Sequence, residues 1–273
     1  MSKTSEPMAG ILPAASVVII RDGKAQSGES GLEVFMLERN RGAGMAFSGA
    51  SVFPGGKVDA EDRSPVWSTL TSSTPPAPDR GFWIAAVRET FEEAGLMFAR
   101  KADAAHLIGS ADAHRLATAE RSAPRAGRSA RFAETVRREK LLVATDHLIY
   151  FAHWITPTWA PKRFDTHFFL AAAPNEQREN LDRDESAEGV WIRPAAALQQ
   201  ADAGRRTLVA VTRCTLELLA TWPTVAAAVD TARLRKVVTV QPYMEETAGG
   251  RVLRIPPEAG YVRSSLPVDA GKR

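Results

Sequence analysis

Three glutamates, Glu89, Glu92 and Glu93, lie close together in the segment AVRETFEEAGL. The apolar residues around them predict a helix, and on a helix residues three and four apart are neighbours. Like charges at these spacings repel one another. The negative end of the helix dipole adds to the cost, because the helix is predicted to end near Gly95. The cluster therefore predicts that a positive group lies among the glutamates.

A glycine turn and further acids precede this helix in the segment FPGGKVDAED. Gly55 and Gly56 follow a short strand-like run, and glycine tolerates the positive φ angles that such a turn requires. The acids Asp59, Glu61 and Asp62 come next. Hard cations such as Mg²⁺ and Mn²⁺ prefer oxygen ligands of this kind. Three glutamates alone would also fit a surface helix that faces water, but the turn and its acids favour a metal site.

The composition is that of an ordinary globular chain, with 44% hydrophobic and 25% charged residues among 273. The formal charge of +3 is small, so we expect no specific nucleic-acid partner. Cys214 is the only cysteine, which excludes an internal disulfide and fits a reducing compartment. No apolar run approaches the roughly 18 residues of a membrane span, and the N-terminus does not resemble a signal peptide. We therefore expect a cytoplasmic protein with no membrane contact.

Apolar runs bounded by turn residues predict the strands that must position these groups. The predicted strands are residues 15–20, 32–37, 51–53, 148–155, 167–172 and 189–192. Residues 63–79 are rich in Ser, Thr and Pro and predict a surface loop. Two later helices are predicted, one that starts at Pro194 and one over residues 207–229 that is interrupted at Pro223.

The acidic helix is predicted to begin after Asp79, which can cap its first turn. Its apolar residues are Ile84, Val87, Phe91 and Phe98. At about 100° per residue, Val87 and Phe91 lie on the Ile84 side of the helix, whereas the three glutamates fall on the other side. We therefore expect one face of this helix in the core and the other face to present carboxylates.

Residues 100–140 are rich in alanine and arginine and contain ten Lys and Arg against five acids. Two interpretations fit this net charge of +5. The segment is either a solvated helical excursion with charged outer faces or a basic wall for a phosphorylated ligand.

The glycine turn and the acidic helix resemble the Nudix box, Gly-x5-Glu-x7-Arg-Glu-U-x-Glu-Glu-x-Gly-U, in which U is a bulky aliphatic residue. Gly56 matches the opening glycine. The second half of the box matches at Arg88, Glu89, Glu92, Glu93, Gly95 and Leu96. On these residues the chain is identified as a member of the Nudix family, whose members hydrolyse a nucleoside diphosphate linked to another group.

Three positions depart from the box. Asp62 stands where the first glutamate is usual, unless the neighbouring Glu61 takes that role. A spacer of 25 residues, 63–87, replaces the usual seven, and Thr90 replaces an aliphatic residue. Such a split box is similar to the branch of the family that includes a mammalian peroxisomal CoA diphosphatase.

Two later segments, 154–174 and 185–198, are also similar to that branch, so the resemblance covers residues 12–220. It implies a Mg²⁺- or Mn²⁺-dependent hydrolase that cleaves a small-molecule diphosphate, with CoA or acyl-CoA as the leading substrate. ADP-ribose, dinucleotides and nucleotide sugars are alternatives. A non-catalytic nucleotide-binding regulatory domain is an alternative of another class, but the retained box carboxylates favour an enzyme.

The resemblance also implies roles for single residues. The implied metal ligands are Glu89, Glu92, Glu93 and either Asp62 or Glu61. The implied catalytic residues are Arg88, Glu89, Glu92, Glu93 and Glu185. The implied substrate contacts are Gly55, Gly56 and Arg163.

Several of these roles have alternatives. Arg88 either pairs with a box glutamate and so fixes the helix on the loop, or it binds a substrate phosphate. Glu185 is either an additional base or metal ligand, or an exposed loop acid. Arg163 either pairs with Asp165 or reaches a phosphate. The five histidines show no metal-ligand spacing, and His167 is expected to be a packed or hydrogen-bonding strand residue.

The fold that the resemblance implies is an α/β Nudix-type mixed sheet between helices, with an extra helical insertion. We expect a single domain over residues 1–273, with a core at about 12–220, an insertion at about 100–145 and a C-terminal extension at about 221–273. From residue 241 onwards the many Gly and Pro residues predict either a loosely structured tail or a packing arm, which could form a homodimer contact.

Overall fold

A computed structural model describes residues 10–24, 30–39, 49–72, 78–124, 126–182, 186–248 and 250–267. Within them, an eight-stranded mixed sheet forms the centre of the molecule. Its strands are β1 (Ile11–Lys24), β2 (Ser30–Arg39), β3 (Ser51–Val52), β4 (Gly55–Lys57), β7 (Ile149–Ile155), β8 (Arg163–Ala172), β9 (Ser186–Ile192) and β10 (Thr239–Val240). The six strands predicted from the sequence are all present, and most run longer than their apolar cores.

β1 lies near the middle of the sheet and hydrogen-bonds on both edges. It runs parallel to β8 along ten residue pairs and antiparallel to β2. At Ala14, Ala15 and Ser16 it also pairs with β4, which contains the two glycines of the predicted turn. The strand order is β10-β7-β8-β1-β2-β3, with β4 beside β1 and β9 beside β2. The glycine turn is therefore fixed to the middle of the sheet rather than to a free loop.

Helices cover both faces of this sheet. They are α1 (Arg80–Ala94), α2 (Ser110–Arg121), α3 (Arg128–Arg138), α4 (Pro194–Asp202), α5 (Ala210–Leu219) and α6 (Val225–Leu234). Successive residues of β1 point to opposite faces, as the pleat requires. Val17 and Ile19 lie in the core beneath α1, whereas Val18 and Ile20 lie in the core beneath α5 and α6. The α/β arrangement of a mixed sheet between helices is confirmed.

The cap residues predicted for α1 are present at both of its ends. Asp79 accepts a hydrogen bond from the N–H of Gly81 at 2.9 Å, and Gly95 adopts φ 71° as the C-cap. The prediction that Phe98 belongs to this helix is wrong, because the left-handed Gly95 ends the helix four residues earlier. Phe98 is nevertheless buried in the same core and leads into β5 (Ala99–Lys101).

The face of α1 that bears the glutamates is not a solvent face. Ile84, Val87 and Phe91 are buried, as expected, but Glu92 and Glu93 are buried as well. The insertion explains this burial. β5, α2, α3 and β6 (Leu141–Val143) fold back beside α1, and β5 pairs with β6. Residues 63–79 also carry more structure than the predicted loop, since 61–63 and 65–68 form two 3₁₀ turns.

The C-terminal region corrects one prediction and supports another. The predicted helix over residues 207–229 is two helices, α5 and α6, with Pro223 between them as expected. A loosely structured tail is wrong, because three antiparallel strands, β11 (Tyr243–Thr247), β12 (Gly250–Arg254) and β13 (Ser265–Pro267), form a small sheet. Ile255, Ala259 and Leu266 are buried in the core beneath α5 and α6. The alternative of a packing arm fits this structure.

Candidate active site

The guanidinium of Arg88 is the centre of the polar cluster on α1. Its side chain is only 2% exposed. It donates to both carboxylate oxygens of Asp62, at 2.9 and 2.8 Å, and to the carbonyl of Lys57 at 2.9 Å. Its remaining nitrogen faces Glu89 at 2.9 Å and Glu92 at 3.4 Å. Burial works against the charge of Arg88, but these hydrogen bonds and carboxylates raise its pKa above the ordinary value.

Asp62 is completely buried and lies against Arg88. One of its oxygens also accepts a hydrogen bond from the N–H of Asp59 at 2.8 Å. The carboxylate therefore holds the arginine and the loop together, and it does not line the cavity that the glutamates share. The neighbouring Glu61 is exposed and does not line that cavity either. The geometry favours the orienting role for Arg88 and gives no support to Asp62 or Glu61 as a metal ligand.

The glycine turn lies directly against the glutamates. The N–H of Gly55 donates to Glu93 at 2.8 Å. Gly56 is so close to Glu89 that a Cβ atom added there would lie 2.4 Å from the carboxyl carbon. Gly55 has φ 155°, and a Cβ atom on it would lie 2.3 Å from the carbonyl oxygen of Ala15. Only glycine fits at both positions without movement of a neighbour.

The glutamates line a cavity of about 340 Å³. Three parts of the chain form its walls: the turn at residues 55–57 with Asp59, the acidic end of α1, and residues 127–129 at the start of α3. Burial, with Glu89 nearby, raises the pKa of Glu92 to about 8, although Arg88 and Arg128 oppose the shift. A carboxyl group with such a pKa stabilises a bound cation when it ionises.

Arg128, from the basic insertion, enters this cavity. Its side chain is 11% exposed and donates to Asp182 at 2.9 Å. Its other terminal nitrogen lies 4.0 Å from Glu92. Asp182 is held in turn, because its N–H donates to the carbonyl of Glu93 at 3.0 Å. Both interpretations of residues 100–140 therefore hold in part: Arg128 forms a wall of this cavity, whereas Arg115, Arg137 and Arg138 lie on exposed outer faces.

A second cavity of about 430 Å³ adjoins the first, and Gly55, Gly56 and Lys57 line both. Its other walls are mostly apolar. They include four aromatic side chains, Phe53, Trp154, Phe164 and Phe168. Residues 209–212 at the start of α5 close one side, and the exposed Lys162 lies at its edge. An acidic compartment and an apolar compartment therefore meet at the glycine turn.

Two predicted site residues are not among those that line the cavities. Glu185 lies outside the described residues. Arg163 donates to the carbonyl of Thr156 at 3.1 Å and lines neither cavity. Asp165, its expected partner, faces His153 instead at 2.5 Å.

The sequence reasoning missed three groups. Arg128 was hidden among the arginines of its segment, and Asp59 lines the cavity although only its neighbours were assigned a role. The third group is His153, Asp165 and His167, whose ligand atoms all lie within 4.8 Å of one another. His167 by itself is a buried, hydrogen-bonding strand residue, as predicted. The histidines are 14 residues apart, so no local spacing indicates them. Burial lowers the pKa of His167, which is therefore a neutral imidazole near neutral pH.

A mixed sheet between helices, with an arginine and three glutamates on the helix that a glycine turn faces, defines a Nudix domain. Among solved structures, the NUDIX hydrolase from Alicyclobacillus acidocaldarius is 24% identical and superposes with a TM-score of 0.64. The match covers 82% of this chain and 97% of that chain, and it shows the fold. The family model of the NUDT19 Nudix domain matches residues 72–209. The chain belongs to that family.

Two curated relatives are similar to this chain. A Caenorhabditis elegans protein named nudix hydrolase 7 is 30% identical, and the match covers 64% of this chain and 51% of that protein. Acyl-coenzyme A diphosphatase NUDT19 of Xenopus laevis is 23% identical, with 64% of this chain and 56% of that protein covered. The chain thus spans about half the length of the curated relatives it matches. Within the described residues, no helix has both the length and the apolar character needed to cross a bilayer.

Proposed function

We propose that this chain hydrolyses the diphosphate bond of a nucleoside diphosphate-linked small molecule, with Mg²⁺ or Mn²⁺ as cofactor. The observation that carries the proposal is the cavity in which Glu89, Glu92 and Glu93 converge against a glycine turn. A non-catalytic binding domain does not need three neighbouring carboxylates, whose mutual repulsion destabilises the fold. Family membership supports the same reading.

The donor set fits a hard divalent cation. Glu89, Glu92 and Glu93 offer only carboxylate oxygens, and the raised pKa of Glu92 shows that the cavity disfavours further negative charge when no cation is present. When bound, such a cation neutralises charge on the diphosphate and lowers the pKa of a bound water. We assign the three glutamates to the metal and assign Asp62 to holding Arg88.

The remaining groups of the cavity hold the glutamates in place or face the substrate. Gly55 fixes the Glu93 carboxylate through its N–H, and Arg88 fixes Glu89 and Glu92 from behind. Arg128 then faces the glutamates across the cavity with its guanidinium. An arginine in this place is suited to bind phosphate oxygens, and it neutralises charge that develops there.

The adjoining apolar cavity favours a substrate with a large non-phosphate group on one side of the diphosphate. Its aromatic walls can bury a nucleobase or an acyl-pantetheine arm. The acyl-coenzyme A diphosphatase among the relatives supports CoA or acyl-CoA as the leading substrate. ADP-ribose, dinucleotides and nucleotide sugars remain the alternatives, since the glutamates act on the diphosphate and not on what it carries.

The test is a substrate panel with the purified full chain. CoA, an acyl-CoA, ADP-ribose, NADH and a diadenosine polyphosphate are each incubated with Mg²⁺ or Mn²⁺, and the products are separated by chromatography. We expect cleavage of the diphosphate of CoA or acyl-CoA, and a loss of about 100-fold or more in Glu93→Gln, equivalent to ~2.7 kcal/mol of barrier.

Glu134→Gln is the matched control, because Glu134 is an exposed glutamate on α3. It should retain wild-type turnover. No turnover of any substrate on the panel, or equal rates for Glu93→Gln and wild type, would contradict the proposal.

A further inference from the structure

Two histidines and one aspartate form a compact group on β7 and β8. His153 of β7 and His167 of β8 are direct partners in the antiparallel register. Their rings stack with centroids 4.2 Å apart. Asp165 lies two residues before His167, so its side chain is on the same face of β8. This group lines neither of the two cavities described above.

The ring nitrogens of both histidines are oriented by hydroxyl groups. Nδ1 of His153 lies 2.8 Å from the hydroxyl of Thr239, and Nδ1 of His167 lies 2.9 Å from the hydroxyl of Tyr150. Both Nε2 atoms therefore face the same carboxylate oxygen of Asp165, at 2.5 and 3.7 Å. Histidines that bind metals are commonly held in this way, with the second ring nitrogen bonded to a neighbouring group.

We propose that His153, Asp165 and His167 form a second metal site, which takes Zn²⁺ or a similar transition-metal ion. Imidazole nitrogens suit such ions, whereas Mg²⁺ prefers oxygen ligands alone. The two sites of the molecule therefore differ in the metal that they select. Three protein ligands leave the fourth position of a tetrahedral ion to water, as in open zinc sites.

The dimensions of the group fit this assignment. With metal–ligand distances of about 2.0–2.2 Å, the ligand atoms of a tetrahedral zinc lie roughly 3.3 Å apart. The two distances to Asp165 lie on either side of this value. The stacked rings must tilt towards each other when the ion binds, because an imidazole nitrogen binds a metal in the plane of its ring. Asp165 is 33% exposed, which gives the ion a path from solvent, while the histidines are 16% and 10% exposed.

The position of the group predicts what the ion would do. It joins β7 to β8, and Thr239 joins β10 to the same cluster. His167 also contacts Phe82 in the first turn of α1, with ring centroids 4.0 Å apart. A bound ion therefore ties three strands to the beginning of the helix whose other end carries the glutamates, and it should stabilise the fold.

The test titrates the metal-free chain with Co²⁺. The visible absorption of Co²⁺ is strong in a tetrahedral site with nitrogen ligands and weak in an octahedral oxygen site. We expect one equivalent of Co²⁺ to give the strong absorption in wild type and in Glu93→Gln. Excess Mg²⁺ should not displace it, whereas Zn²⁺ should. His153→Asn and His167→Asn should each weaken Zn²⁺ binding by at least about 10-fold.

His106→Asn is the matched control, because His106 is an exposed histidine outside the group. It should bind as wild type does. Melting curves in EDTA check that each variant is folded. If a histidine variant does not fold, Asp165→Asn, which preserves the side-chain shape, is tested in its place. Zn²⁺ should raise the melting temperature of wild type but not of these variants.

Three outcomes would overturn the proposal: no strong absorption in wild type, absorption that survives in the folded variants of the group, or absorption that disappears in Glu93→Gln. None of these outcomes depends on diphosphate hydrolysis, so this proposal and the proposed function fail separately.

Discussion

Arg88 and Asp62 form a buried, doubly hydrogen-bonded pair that joins α1 to the loop after the glycine turn. The two residues are 26 positions apart, and the whole extended spacer of the split box lies between them. Neither group can lose its partner without leaving a charge in the interior. The pair therefore keeps the interrupted box in one piece although the spacer is long.

The first prediction concerns this pair. Asp62→Ala should lower the free energy of unfolding by about 3–5 kcal/mol, because it leaves the Arg88 guanidinium buried without its main partner. Urea denaturation followed by circular dichroism measures the change. Glu61→Gln, at the exposed neighbouring position, should change stability by no more than about 0.5 kcal/mol. Equal effects of the two substitutions would show that Asp62 does not hold the arginine.

The two glycines of the turn should respond differently to alanine. Gly55→Ala places a Cβ atom 2.3 Å from a backbone oxygen, so we expect a clear fall in melting temperature. Gly56→Ala meets instead the end of the flexible Glu89 side chain, which can move. We therefore expect near-normal melting but weaker Mg²⁺ binding, measured by calorimetry. Gly109→Ala is the control, because nothing lies within 4 Å of the added Cβ atom. Normal Mg²⁺ binding by Gly56→Ala would count against Glu89 as a ligand.

Glu92 predicts a pH dependence of stability in the metal-free protein. Its pKa is raised in the folded state to about 8 from an ordinary 4.5, so the folded protein retains a proton that the unfolded chain releases. The contribution of this proton to the free energy of unfolding is fully present below pH 4.5 and is lost as the pH rises towards 8. Chemical denaturation in EDTA at a series of pH values measures it. Glu92→Gln should flatten this part of the curve, and an unchanged slope in the variant would contradict the assignment.

Arg128 should affect substrate more than metal. Arg128→Gln removes the cation that faces the glutamates across the cavity, so we expect kcat/KM for the diphosphate substrate to fall about 10–100-fold, equivalent to ~1.4–2.7 kcal/mol. Mg²⁺ affinity should not fall, because a repelling charge is removed. Arg137→Gln, an exposed arginine on the same helix, is the matched control. A loss of Mg²⁺ affinity with unchanged kcat/KM would refute the role of Arg128.

The apolar cavity can be tested by filling it. Ala210→Phe adds an aromatic ring at the wall formed by α5. We expect a lower kcat/KM for the CoA substrate with Mg²⁺ binding unchanged, because the glutamates lie in the other compartment. Ala203→Phe places the same ring at an exposed position after α4 and should leave kcat/KM unchanged. Full activity of Ala210→Phe would show that the substrate does not use this cavity.

The local features of this chain follow from its sequence alone. The caps Asp79 and Gly95, the helix between them, the glycine turn and the grouping of the glutamates depend on residues a few positions apart, whose hydrogen bonds and periodicity are visible in the pattern. The Nudix fold and the family follow from the same motifs. The assignment of Phe98 to this helix is the exception, since this buried phenylalanine continues the apolar period beyond the helix end at Gly95.

The contacts that complete the sites were decided by the tertiary structure. That Asp62 rather than Glu61 holds Arg88, that Arg128 of the insertion faces Glu92, and that His153 lies opposite His167 all depend on how distant segments pack. Strand register sets the last of these contacts, and a shift of one residue would turn these side chains to the other face of the sheet. A linear pattern of residue types does not contain that register, because it is fixed by the whole core at once.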